Sequence, residues 1–187
     1  MIAMEAGMGL VYLRKLTGSV FISFLLAASA TSAESDKTRA VSDFAYNVCV
    51  KNVHDLGNIA NLAEVGGWKP LPAELAQAFE PRDVTEFAGW EVKFRNVLMK
   101  LMVSHWKADD GKVMNTCMVV VSTFQEPFLE EIRRRIDFKK VDSRAEGKIR
   151  FDEYLFTNPI GLSVIMELMY FVDSSNTRIK FILVQKP

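Results

Sequence analysis

Trp90-Glu-Val-Lys-Phe-Arg95, then Val97 to Trp106, Lys107-Ala-Asp-Asp-Gly-Lys112 and Val113 to Thr123, is the stretch that decides the fold. Trp90, Val92 and Phe94 alternate with Glu91, Lys93 and Arg95. A period of two sends successive side chains to opposite faces, so this is a half-buried strand. Val97 to Trp106 reads as a second strand, apolar enough to be covered on both faces for part of its length. Asp110-Gly111 suits a hairpin turn with positive φ. Val113 to Thr123 is then the partner strand, with Asn115, Cys117, Val119 and Val121 on one face.

Upstream, the period lengthens. Val41, Ala45, Val48, Cys49, Leu56, Ile59 and Ala63 recur at helical spacing, which predicts a helix with Cys49 on its buried side. Ser42 or Asp43 can cap it, because a short polar side chain accepts the first orphan N–H groups. Gly57-Asn58 offers a place to kink or split, and Gly66-Gly67 ends the helix with one glycine free to take the left-handed cap. Trp68-Lys-Pro-Leu-Pro72 is extended, since residues before proline avoid the helical region. Pro72 can open a short helical turn through Phe79, which Pro81 ends. The stretch 68–88 is expected to lie over the core, pinned by Trp68, Leu71, Leu75 and Phe79.

Downstream, Pro127 marks a helix start, with Phe128, Leu129, Ile132 and Ile136 as its apolar stripe. Glu126, Glu130 and Glu131 come early. Arg133, Arg134 and Arg135, with Lys139 and Lys140, come late, a polarity that complements the helix dipole. Arg144 to Lys148 reads as a turn. Three strands close the chain, Ile149–Thr157, Leu162–Val172 and Arg178–Gln185. The order α, βββ, α, βββ with short turns predicts an α+β fold, an antiparallel sheet of about six strands packed against two main helices. Phe94, Val119, Phe151 and Phe181 are expected in its core.

The first 33 residues have the order of a cleaved secretory signal: basic Arg14 and Lys15, an apolar Leu16 to Leu26, then the small residues Ala27 to Ala33. Ala28-Ser29-Ala30 fits the cleavage pattern best, and cleavage after Ala33 is the close alternative. The rival reading is a retained anchor, but a span needs roughly 20 apolar residues, and this stretch is broken by Thr17, Gly18, Ser19 and Ser23. The expected organisation is therefore a signal peptide over 1–33 and one secreted α+β domain over 34–187, periplasmic or otherwise secreted, with no transmembrane segment after cleavage.

Of 23 basic and 23 acidic residues, the first 33 hold two and one, so the remaining chain carries a net charge of −1. A nearly neutral chain offers no general field for nucleic acid or anionic lipid. Cys49 and Cys117, the only cysteines, both lie beyond the signal. In an oxidising compartment an isolated pair is most simply a disulfide; the rival reading is two buried free thiols.

Candidate chemistry is sparse. His54 and His105 are the only histidines, and no HxH, HExxH or CxxC spacing accompanies them, so neither a metal site nor a cofactor is expected. Cys49 with His54 invites a nucleophile–base reading, but positions five apart on a helix diverge by about 140°. Asp152, Glu153 and Glu167 fall on predicted strands and can pair across an antiparallel ladder, and Glu153 and Glu167 on a shared face would form an acid–base pair; solvated strand faces are the plainer account. Arg133, Arg134, Arg135, Lys139 and Lys140 form a local basic patch able to dock an acidic partner, although the helix C-terminus is a sufficient reason for them. Trp68, Trp90 and Trp106 suit a core better than a stacking platform.

Cys49, followed by Asn61-Leu-Ala-Glu-Val-Gly-Gly-Trp68 and Lys-Pro-Leu-Pro72, with Cys117 in a later strand, resembles uncharacterised exported proteins of alphaproteobacteria. The resemblance spans Cys49–Pro72 plus Cys117. It implies an envelope location and a cystine, and no known activity. The leading expectation is a non-enzymatic domain that binds an unidentified protein or other envelope component. The alternative is a secreted hydrolase with a dispersed carboxylate/His site, which requires one cleft holding at least two of His54, His105, Asp109, Asp110, Glu153 and Glu167.

N-terminal sequencing of the protein extracted from the envelope should give a first residue between Thr31 and Glu34. An intact terminus at Met1, Met4 or Met8 would remove the signal reading.

Overall fold

Alternation becomes sheet over most of the chain. In the computed structural model, which describes residues 34–72, 74, 84–107, 111–122, 125–171 and 176–185, eight strands form one sheet. They are β1 (Lys69–Pro70), β2 (Val84–Phe94), β3 (Val97–Lys107), β4 (Val113–Ser122), β5 (Phe138–Glu146), β6 (Ile149–Thr157), β7 (Ser163–Phe171) and β8 (Asn176–Gln185). Their order is β1-β2-β3-β4-β8-β7-β6-β5, antiparallel throughout. Two four-strand meanders thus meet at β4 and β8. The class is α+β, as expected, but among the described residues the sheet has eight strands rather than about six, and there are three helices rather than two main ones.

The chain divides into two compact units, Met1–Asp36 and Lys37–Pro187. Of the first, only the helical residues 34–36 are described. The expected signal and its cleavage site lie outside the described residues, as do most of the helical turn expected over 73–79 and the hairpin tip at 108–110. No helix among the described residues is long and apolar enough to cross a membrane.

Helix α1 covers residues 37–52 of the second unit and contains a π-helical turn, Ala45–Val50. A π turn adds a residue per turn and so resets the phase of the buried stripe. Here it lets Val48, Cys49, Val50 and Val53 all be buried. The helix ends before residue 53, not at the expected Gly57-Asn58. Asp55 restarts it by accepting from the Asn58 N–H at 3.0 Å, an N-cap for α2 (Leu56–Val65). Gly66-Gly67 terminates α2 as expected, with Gly67 at φ 60°. A Cβ at Gly66 would lie 2.5 Å from the Trp68 indole nitrogen, so that close approach excludes larger residues.

The main core lies on one face of the sheet, under α1 and α3 (Gln125–Arg133), while Met102 and Ser104 of β3 and Met118 and Thr116 of β4 are buried on the other face. Leu101, Val119 and Ile179 sit side by side across β3, β4 and β8, and Cys117, Phe181 and Met166 across β4, β8 and β7. All six are fully buried. Phe44 of α1 packs its ring 5.5 Å from Trp68 and 5.7 Å from Phe94, and Trp68 meets Trp90 edge-on.

Two local expectations are corrected. Lys139 and Lys140 belong to β5, not to a helix end, and Arg144–Glu146 continue that strand, so the turn is only Gly147-Lys148. Period two over 138–146 was masked by charge on both faces, because every residue from Lys139 on is exposed. Phe151 faces away from the core. On β6 the buried residues are Asp152, Tyr154 and Phe156, so a carboxylate occupies an inner position that the apolar pattern assigned to the other face. Of the remaining expected core residues, Val119 and Phe181 are fully buried and Phe94 packs half-buried against the core.

Cys49 and Cys117 form a disulfide with Cα atoms 5.4 Å apart, within the usual span. It joins α1 to the middle of β4. Closing a loop between residues 68 apart in sequence removes unfolded-chain entropy worth roughly 4 kcal/mol. Cys49→Ser should therefore cost about 2–5 kcal/mol in denaturant unfolding, and alkylation of denatured, unreduced wild-type protein should label no thiol. Two labels per chain would rule the bridge out.

Candidate functional site

The two histidines come together through Asn115. Asn115 lies on the inner face of β4, opposite His105 of β3. Its Nδ2 donates to the His54 carbonyl at 3.5 Å, and its Oδ1 lies 2.7 Å from His105 Nδ1. An amide oxygen only accepts, so in this contact His105 Nδ1 is the donor. His54 Nδ1 is buried with no hydrogen-bond partner among the described residues. Asn115 is 4% exposed and two residues from Cys117, so one short stretch of β4 both bridges α1 and fixes its end. Sequence reasoning placed Asn115 on the right face but gave it no role. Asp109 and Asp110 lie outside the described residues.

Glu153 and Glu167 also come together, as register partners on the outer face of β6 and β7. Arg144 of β5 bridges them, pairing with Glu153 and, at 3.0 Å, with Glu167. Those contacts raise the Arg144 guanidinium above its ordinary range, against the opposing effect of burial. Two carboxylates held by one cation on a sheet face form a cross-strand ladder. An acid–base pair needs the two environments driven apart, and here they share one cation.

The inner face of β6 carries Asp152, expected from the sequence only as a strand carboxylate able to pair across a ladder. Asp152 is 2% exposed. Lys140 Nζ lies 2.8 Å from Oδ1 and Arg150 Nε 3.5 Å, while Ser143 Oγ donates at 2.6 Å. Tyr170 of β7 donates its hydroxyl to Oδ2 at 3.3 Å. A buried charge needs such partners, since an isolated one costs several kcal/mol. The only sequence signal was an aspartate in phase with Tyr154 and Phe156.

The expected basic patch is distributed among separate partners. Arg135 pairs with Asp43 of α1 and lies over the Tyr46 ring. Arg134 pairs with Glu131 at 2.9 Å, Arg133 lies over Phe138, and Lys140 holds Asp152. Lys139 faces a shallow depression of about 300 Å³ between β5, β6 and β7, with Phe138, Leu155 and Phe156 in its lining. None of the candidate acids and bases lines it. Trp68 and Trp90 are half-buried and pack against the core, and Trp106 lies under Lys180 Nζ, 5.9 Å from the ring centre. No group of three or more His, Cys, Asp and Glu among the described residues could hold a metal ion.

Against known proteins, no family model matches the chain, and neither a curated protein nor a solved structure matches it.

Partial burial and then the neighbouring Asp152 carboxylate hold the Tyr170 phenol above its ordinary value of 10.0. A raised folded pKa means that the folded state keeps its proton longer. The contribution is complete below the unfolded value and lost as pH rises through the folded one. Tyr170→Phe should therefore be the less stable protein at neutral pH and close that gap above pH about 10. Urea unfolding of both proteins at pH 7 and across the alkaline range checks it; a constant gap would contradict the assignment.

Proposed function

We propose that this chain is exported to the bacterial envelope and works there as a binding or interaction domain without catalysis. The observation that carries export is the fully buried Cys49–Cys117 cystine, which ties α1 to the central strand. A covalent tie inside the core calls for a compartment in which thiols oxidise. The signal-like order of residues 14–33 points the same way.

The binding reading is supported by what the reactive groups do. Glu153 and Glu167 share Arg144 on the outer face, and His105 orients through Asn115 on the inner face. The two sets occupy opposite faces of the sheet, and each is engaged in holding strands or helices together. The hydrolase reading needs them in one cleft.

The test is expression of the full chain with a C-terminal tag, followed by cell fractionation and thiol labelling without reduction. Export predicts the tag in the periplasmic or envelope fraction with no free thiol; a cytoplasmic protein with two reactive thiols would refute it. Assay of the same material against chromogenic ester, phosphoester and glycoside substrates separates the two functions. Turnover lost in His105→Gln or Glu153→Gln would establish the hydrolase instead.

A further inference from the structure

Helix α1 changes its hydrogen-bond spacing part-way along. At the end of the Ala45–Val50 π turn the Lys51 N–H reaches back five residues, to the Tyr46 carbonyl. The Val53 N–H reaches back only four, to the Cys49 carbonyl at 2.8 Å. Between these bonds stand two carbonyls, those of Asn47 and Val48, and a single backbone N–H, that of Asn52. Returning from i→i+5 to i→i+4 spacing leaves one carbonyl over.

The Asn52 side chain supplies the missing donor. Its Nδ2 donates to Asn47 O at 2.8 Å and to Val48 O at 2.9 Å. Only the amide nitrogen can face two carbonyls, because an amide oxygen donates nothing. The other end of that amide is fixed by α2. Asn52 Oδ1 accepts from Asn58 Nδ2 at 2.7 Å, and the Asn58 N–H is held by Asp55. Asn47, inside the turn, ties its two ends, donating to Asp43 O at 2.8 Å and accepting from Lys51 Nζ at 2.9 Å. In an uninterrupted α-helix the Asn47 and Val48 carbonyls would each have a backbone N–H of their own. The Asn52 bonds therefore favour the π form over the regular helix.

The turn sets the phase between two anchored ends. Upstream, Asp43 pairs with Arg95 and Arg135, and Phe44 packs on Trp68 and Phe94. Downstream, the His54 carbonyl accepts from Asn115. Removing the extra residue of the turn would rotate one end against the other by about 100°. Cys49 lies within the rotated stretch, so its Cα could not stay 5.4 Å from that of Cys117 with both ends in place.

We propose that Asn52, oriented by Asn58, is a positioning residue for the Cys49–Cys117 pair. It holds the π turn in the reduced chain, so the two thiols are aligned before they are joined, and the cystine locks the turn without creating it. Closing the bond passes two electrons and two protons from the thiols to an external disulfide, which leaves as two thiols. The inference stands on the geometry of α1 and does not depend on the envelope reading.

Equilibration of the full chain with reduced and oxidised glutathione, quenched by alkylation, measures the effective concentration of the thiol pair. Asn52→Ala should lower it about three- to tenfold, the worth of a hydrogen bond or two. Asn58→Ala should move it the same way by less. Asn158→Ala removes the acceptor of the Ile160 and Leu162 N–H groups in the β6–β7 turn. It should leave the value unchanged, because a loss remote from α1 acts on both redox states alike. Where a reduced variant does not stay folded, the rate at which dithiothreitol opens the cystine of the oxidised protein is the readout. It should then be several-fold faster in Asn52→Ala than in Asn158→Ala. An effective concentration unchanged in Asn52→Ala, or Asn52→Ala and Asn158→Ala shifted equally in either measurement, would overturn the proposal. So would a structure of Cys49→Ala/Cys117→Ala in which α1 is a regular α-helix.

Discussion

One face of an eight-stranded sheet must be taken out of water, and the structure depends on how α1 is held against it. The helix lies far in sequence from β4 and β8, and its apolar stripe is reset by the Ala45–Val50 π turn. That turn presents Val48, Cys49 and Val50 together to the inner face, where Cys49 meets Cys117. Apolar burial is non-directional and would tolerate small slides of the helix. The cystine is directional and permits few. Five residues on, the hydrogen bond from Asn115 to the His54 carbonyl holds the end of the same helix to the same strand. Phe44, Trp68, Trp90 and Phe94 then close one side of the core as a connected aromatic set.

Charge plays the second organising part. Asp43 of α1 receives both Arg95, from the β2–β3 turn, and Arg135, just beyond α3. A single carboxylate of low exposure thereby links the first helix, the first hairpin and the crossover between the two meanders. Asp152 does the same for β5, β6 and β7 on the inner face, and Arg144 for those strands on the outer face. Removing one member of such a cluster leaves the others with unmet hydrogen bonds, and charged groups carry the larger penalty. This is why residues that read in sequence as a basic patch do not behave as one. Arg134, Arg135 and Lys140 are each matched by a different carboxylate, and Arg133 lies over Phe138.

How far the sequence could be read follows from the range of each signal. Where one face was apolar and the other polar, as over Trp90–Arg95 of β2, period two located the strand, and on β4 Cys117 and Val119 fell on the buried face as expected. β5 escaped because it is exposed on both faces, so alternation of hydrophobicity had nothing to report. Phe151 was placed on the wrong side because β6 puts a paired aspartate where the pattern wanted a hydrophobe, and an aspartate is allowed there only because Lys140 and Tyr170 arrive from other strands. The candidate acids and bases were legible as residue types. Their partners, Arg144 and Asn115, were not, since nothing local marks a residue that acts across strands.

The sequence by itself determined the class, the antiparallel connections, the helix end at Gly66-Gly67 and the side of α1 that carries Cys49. These depend on periods and turn residues that act over a few positions, where backbone sterics dominate. Tertiary structure alone decided the strand order that sets β4 beside β8, the burial of Asp152, the sharing of Asp43 by two arginines and the length of the β5 edge. Each of these rests on groups brought together from distant parts of the chain. Their energies depend on distance and desolvation in space, which no spacing along the chain encodes.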